Sequence, residues 1–129
     1  MSAKPIITEL TVDELKLLQT NMGNSVLILK FGADWCGPCK KIAPMFYNFV
    51  NNASPNIIFA DIDIDKSIEL YIALKKHKMV QGVPVFLAFF GDRKREQWYI
   101  PDDSMIGADE TQLKAFFERC TPSGYSYYT

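Results

Sequence analysis

The sequence predicts a small α/β sandwich, and three observations carry that prediction. Short apolar runs at 26–31, 57–63 and 82–90 are separated by segments whose apolar residues recur every three or four positions, the spacing of a helix face. The run Val26-Leu27-Ile28-Leu29-Lys30-Phe31 is apolar almost throughout, as a central strand covered on both faces should be. Helices placed between apolar strands imply right-handed crossovers and a partly parallel sheet. These patterns leave the strand order open.

Taken in order, Ile6 and Ile7 form a short edge strand, and a first helix follows with caps within Thr8 to Thr11 and an apolar face of Leu10, Leu15, Leu17 and Leu18. Gly23-Asn24 ends it. After the central strand a helix is expected from about Cys36 to Asn51, facing the core through Ile42, Met45, Phe46, Phe49 and Val50, with Pro44 bending it. Ile57 to Asp63 is the next strand. A helix from about Ser67 to Lys76 carries Ile68, Tyr71, Ile72 and Leu74, and the basic run Lys75 to Lys78 closes it. Gly82 to Phe90 reads as a strand entered through a proline, and the turn signal Gly91-Asp92 pairs it antiparallel with Arg95 to Tyr99. Asp109 caps a last helix bearing Leu113, Phe116, Phe117 and Cys120.

At 129 residues the chain suits one domain, with a core from about 6 to 120 and a loose tail from 121 to 129. A formal net charge of −1 supplies no general field for polyanions, and the basic triplet 93–95 is too short to argue for nucleic acid. No stretch is apolar enough to cross a bilayer, and the N-terminus lacks a signal-peptide pattern, so a cytoplasmic, reducing compartment is the expectation. Three cysteines are too few for a disulfide scaffold. A zinc site wants four ligands, and Cys120 and His77 make no convincing second half-site.

The chemistry therefore falls on Cys36 and Cys39, two cysteines two residues apart at a strand-to-helix junction. A cysteine at a helix N-terminus meets unpaired amides and the positive dipole end, which favour its thiolate. Cys36 is thus the expected nucleophile and Cys39, one turn in, the resolving thiol. Gly37 and Pro38 between them tune the redox poise, Pro38 at no cost in helix hydrogen bonds. Cys120 has the spacing of an inert core thiol, and His77 that of a solvated helix end.

Phe31 to Pro44 resembles thioredoxin, and Trp35-Cys36-Gly37-Pro38-Cys39-Lys40 matches the active-site segment of that family residue for residue. The likeness runs from about residue 11 to about 119. It implies the thioredoxin fold, a central mixed sheet of four to five strands with helices on both faces. It also implies a reducing dithiol that attacks client disulfides through a mixed disulfide. Electrons would come indirectly from NADPH through a thioredoxin reductase, with no tightly bound cofactor, no metal, and a monomer facing disulfide-containing client proteins. By the same resemblance Trp35 joins the apolar rim around Cys36. Val83-Pro84 corresponds to the cis-proline loop that offers backbone to an extended substrate, although residue statistics alone favour trans. Gly107 corresponds to the glycine before the last helix and helps shape the docking surface.

The sequence departs from the family in two places. Lys30 stands where thioredoxins usually carry a buried acid, and Asp61 occupies the matching position of the next strand, so a buried Lys30–Asp61 pair tuning Cys39 is one reading and a snorkelling Lys30 the other. The region 91–106 is also longer than the family pattern. An enlarged hairpin accounts for it, and a partner-selecting loop near the substrate side is the sharper expectation. A disulfide isomerase, a client-specific reductase, and a redox-inactive interaction module stay open as alternatives.

Overall fold

A computed structural model describes residues 5–121. The order is β1 (Ile6–Ile7), α1 (Val12–Asn21), β2 (Val26–Gly32), α2 (Gly37–Asn52), β3 (Ile57–Asp63), α3 (Ile68–Lys76), β4 (Val85–Phe90), β5 (Asp103–Ile106) and α4 (Glu110–Cys120). The five strands form one mixed sheet in the order β1-β3-β2-β4-β5. β1 and β2 flank β3 in parallel, and β4 and β5 continue antiparallel beyond β2. Of the expected tail only Thr121 is described, and it is held as the C-cap of α4; residues 122–129, with their tyrosines, lie outside the described residues.

Central β2 is buried from Leu27 to Gly32, and alternation splits it between two cores. Leu27, Leu29 and Phe31 face the layer of α1 and α3, whereas Ile28 packs with α2 and α4 around Phe46, Phe49, Phe116 and Phe117. Phe49 and Phe117 stack with ring centroids 3.9 Å apart, tying α2 to α4. Lys30 shares the face of Ile28, and its ammonium sits 5.3 Å from the Phe46 ring centroid.

Local chemistry fixes the helix starts. Thr11 and Glu14 form a reciprocal capping box on α1, and the Asp109 carboxylate accepts the Gln112 amide at the start of α4. α2 begins at Gly37, with Cys36 as its cap, and Pro44 sits within it without ending it.

Four expectations need correction. β5 is Asp103–Ile106, and Arg95 to Tyr99 form no strand. β4 begins at Val85, so Gly82 to Pro84 are loop. Ile68 and Ile72 of α3 face solvent, and its buried residues are Leu70, Tyr71 and Leu74. Leu17 of α1 is likewise exposed, leaving Leu15 as the deeply buried anchor of that helix.

The segment 91–102 departs from the end of the sheet remote from the cysteines, because Phe90 pairs with Val26, the first residue of β2. It stays there. Gln19 Nε2 donates to the Trp98 carbonyl at 2.8 Å, and the His77 ring stacks on Tyr99 at 3.7 Å. Asp102 accepts the Phe90 amide at 2.7 Å and pairs with Arg95. An approach of this loop to the substrate side is therefore not what the chain adopts. Gly91 opens the segment where a Cβ would lie 2.0 Å from the Gly23 carbonyl oxygen, a contact only glycine permits.

Candidate active site

The parallel pairing of β2 with β3 and the exit of β2 into α2 place the dithiol at the carboxyl end of the parallel strands. Cys36 is the N-cap of α2 with extended backbone, and its sulfur accepts the Cys39 amide at 3.1 Å. That bond gives one otherwise unpaired amide of the first turn to the sulfur, which favours negative charge there. Pro38 lies in the first turn, where its missing N–H deprives no intrahelical bond. Cys36 and Cys39 are joined as a disulfide with Cα atoms 5.3 Å apart. Both are nearly buried, 4% and 5% exposed, so burial alone does not separate an outer from an inner cysteine. Their neighbours do.

Cys36 faces the loop before β4. The Val83 carbonyl oxygen lies 3.7 Å from its sulfur, and the Val83-Pro84 peptide bond is cis. Gly107, at φ +96°, donates its amide to the Pro84 carbonyl at 2.9 Å, so the turn before α4 braces that loop. Trp35 is 67% exposed beside Cys36 in the chain, and its indole N–H donates to Asp65 Oδ2 at 3.0 Å. An exposed indole held at its polar edge offers a fixed apolar face to a partner. Lys40 and Lys41 are exposed.

Cys39 faces a cleft of about 360 Å³ behind the disulfide. Direct pairing of Lys30 with Asp61 across β2 and β3 puts the Lys30 ammonium 2.9 Å from Asp61 Oδ1, with Lys30 itself 6% exposed. Lys30 does not snorkel. A Cβ placed on Gly32 would lie 3.5 Å from both Cys39 Sγ and Lys30 Nζ, so those two atoms are at most about 7 Å apart.

Sequence reasoning missed Tyr47, whose hydroxyl donates to Asp61 Oδ2. The signal was present: Cys39, Ala43 and Tyr47 recur every fourth residue on α2, and all three line the cleft. Burial, the hydrogen bond to Asp61 and the nearby carboxylate charge raise the Tyr47 phenol from 10.0 to about 12. A pKa raised on folding lends stability at pH below the unfolded value, and that contribution is lost as pH rises through the folded value. Wild type minus Tyr47→Phe should therefore show a stability difference that is constant below pH 10 and declines between about 10 and 12. Urea unfolding at stepped pH measures it; a flat difference would contradict the assignment.

Asp65, the partner of Trp35, was likewise missed. Cys120 is a buried free thiol, and burial, seconded by Asp103, pushes it up to about 12, which keeps it protonated and unreactive at neutral pH. His77 is exposed and stacked on Tyr99, away from the cysteines. Among the described residues, no group of three or more His, Cys, Asp or Glu side chains could hold a metal ion, and no helix is long and apolar enough to cross a membrane.

Comparison with known proteins agrees with this geometry. The Thioredoxin family model matches residues 8–119. Thioredoxin domain-containing protein 8 of Rattus norvegicus is 41% identical over 81 residues, which is 63% of this chain and 60% of that protein. The matched stretch thus spans about 60% of the length of that rodent relative, and 58% of its Mus musculus counterpart. Thioredoxin of Neurospora crassa is 38% identical over 72% of this chain and 70% of its own. Among solved structures, Fasciola hepatica thioredoxin superposes with a TM-score of 0.69 at 27% identity, covering 89% of this chain and all of that one. A thioredoxin f2 solved in complex with ferredoxin:thioredoxin reductase shares the fold, with a TM-score of 0.67 at 23% identity over 88% of this chain and 94% of its own. A match over residues 8–119, on a five-stranded mixed sheet that presents Cys36 and Cys39 at the head of α2, makes this chain a member of the thioredoxin family.

Proposed function

We propose that the protein is a general protein-disulfide reductase working through Cys36 and Cys39. The observation that carries this reading is the N-cap position of Cys36, with the Cys39 amide on its sulfur and the Val83 carbonyl beside it. The Cys36 thiolate attacks one sulfur of a client disulfide. A Cys36–client mixed disulfide forms and the other client sulfur leaves as a thiolate. Cys39, as thiolate, then attacks the Cys36 sulfur, expels the second client thiolate and leaves the Cys36–Cys39 disulfide. The half-buried Val83, next to a cis-proline that has no amide of its own, offers an extended client backbone a pairing edge. Trp35 and Gly107 flank that edge.

Lys30 and Asp61 are assigned to the second step. A charged ammonium cannot take the Cys39 proton, but at about 7 Å or less it stabilises the thiolate that forms, and Asp61 moderates it. Gly37 and Pro38 set the poise of the pair. Electrons return to the disulfide from NADPH through a thioredoxin reductase that docks on the same rim; the similar thioredoxin f2 is seen in complex with a ferredoxin:thioredoxin reductase. The chain acts as a monomer in the cytoplasm and carries no tightly bound cofactor. Reduction of insulin disulfides tests the reading: turnover by wild type that disappears in Cys36→Ser is expected. Client binding without turnover would point instead to an interaction module, and disulfide reshuffling that outpaces net reduction to an isomerase.

A further inference from the structure

We infer that the cleft behind the disulfide is a second entrance, through which a low-molecular-weight thiol attacks Cys39 rather than Cys36. The inference rests on the dithiol reading above and extends it to a reductant that is not a protein. The cleft reaches Cys39 between Lys30, Gly32, Ala43, Tyr47 and Asp61, and neither Trp35, Cys36 nor Val83 lines it. It therefore meets the disulfide at Cys39, without Cys36 or the Val83 loop in its lining. Its volume of about 360 Å³ falls within the range of small-ligand sites, roughly 300–1,000 Å³.

Gly32 keeps this entrance open. A Cβ there would stand 3.5 Å from Cys39 Sγ and 3.5 Å from Lys30 Nζ, filling the space between cation and sulfur without clashing with either. The lining also carries Lys40, Lys66, Asp34 and Asp63, so both signs of charge face the visitor. That mixture suits a zwitterionic thiol bearing ammonium and carboxylate groups, whose thiolate is drawn to Lys30 at the cleft floor.

Leaving-group chemistry favours this direction. Attack on Cys39 expels the Cys36 sulfur, which leaves onto the Cys39 amide at the helix N-terminus, and the better-stabilised thiolate leaves faster. In the first step the incoming thiolate bonds to Cys39 sulfur, the Cys36–Cys39 bond breaks, and Cys36 departs with the electron pair. A second thiolate then attacks the sulfur of the bound small thiol, releasing the small disulfide and the Cys39 thiolate, which takes a proton. Two small thiols are oxidised and one protein disulfide is reduced, a balance of two electrons.

The test uses single-thiol proteins and glutathione disulfide as the probe, with mixed-disulfide formation followed by mass. Cys36→Ser/Cys120→Ser leaves Cys39 alone, and Cys39→Ser/Cys120→Ser leaves Cys36 alone. Cys39 should be modified, and adding Gly32→Ala should slow it at least tenfold while the Cys36 protein carrying the same change stays within twofold. Ala43→Leu, which narrows the cleft from α2, serves as a second plug if Gly32→Ala does not fold. A Cys39 that stays unmodified, or whose rate ignores both plugs, overturns the entrance. Failure of Cys36 itself to react would instead sink the dithiol reading, so the two failures are distinguishable.

Discussion

Cys39→Ser is expected to turn the protein from a catalyst into a trap. Mixed with a disulfide-containing client, it should accumulate a covalent Cys36–client adduct, seen as a reducible band of summed mass, while insulin turnover falls at least about 1,000-fold. The size follows from what is lost, since a thiol held one helical turn from the bond it must break acts at an effective concentration orders of magnitude above any external thiol. Cys36→Ser should lose turnover as deeply yet form no adduct. The contrast separates attack from resolution, because each sulfur is removed from a different step. The nearly equal burial of the two residues makes this informative, for the asymmetry resides in the N-cap bond and the Val83 carbonyl rather than in exposure. Adduct formation in Cys36→Ser but not in Cys39→Ser would reverse the assignment.

How much of this was legible in the residues differs by element. β2, α2 and α4 declared themselves because burial on both faces of a strand, or along one stripe of a helix, leaves a repeating apolar pattern. β5 did not, since among Asp103, Ser104, Met105 and Ile106 only Met105 is buried, and pairing with β4 rather than a local pattern defines the strand. The aromatic pair Trp98 and Tyr99 imitated a strand but is held by contacts with α1 and His77. Ile68 and Ile72 fitted the helix period on a face that meets solvent, because periodicity reports a stripe and not what covers it. The dithiol was readable from six contiguous residues. The cis bond at Val83-Pro84 was not readable from residue type, because both isomers suit the same dipeptide, and the expectation came from the resemblance alone. Tyr47 and Asp65 were missed for one reason: each acts through a partner from another element, Asp61 of β3 and Trp35 of the turn before α2.

Opposite displacements of the Cys39 titration are expected from the two halves of the Lys30–Asp61 pair. In reduced Lys30→Met the Cys39 thiol should ionise at higher pH, because a favourable cation has gone and the remaining Asp61 carboxylate repels a thiolate. Asp61→Asn leaves the Lys30 ammonium without its counter-charge and should lower the same titration. At a separation of at most about 7 Å and an effective dielectric near 20, the Lys30 charge is worth at least about 2 kcal/mol, a change of more than tenfold in proton affinity. Lys30→Met/Asp61→Asn removes both charges and should titrate between Lys30→Met and the parent, closing a double-mutant cycle. Stability moves differently: either single change strands a partner of a largely buried pair and should cost about 3 kcal/mol, the low end for such losses, because the Asp61 side chain is 20% exposed. The double variant should recover most of that loss. The chemistry follows the titration, so release of client from the Cys36 mixed disulfide should need higher pH in Lys30→Met than in the parent, while the first attack by Cys36 keeps its profile. Thiolate absorbance and single-turnover release across pH read both quantities. If Cys39 titrates alike in all four proteins, Lys30 is a structural half of an ion pair, and the second step draws nothing from it.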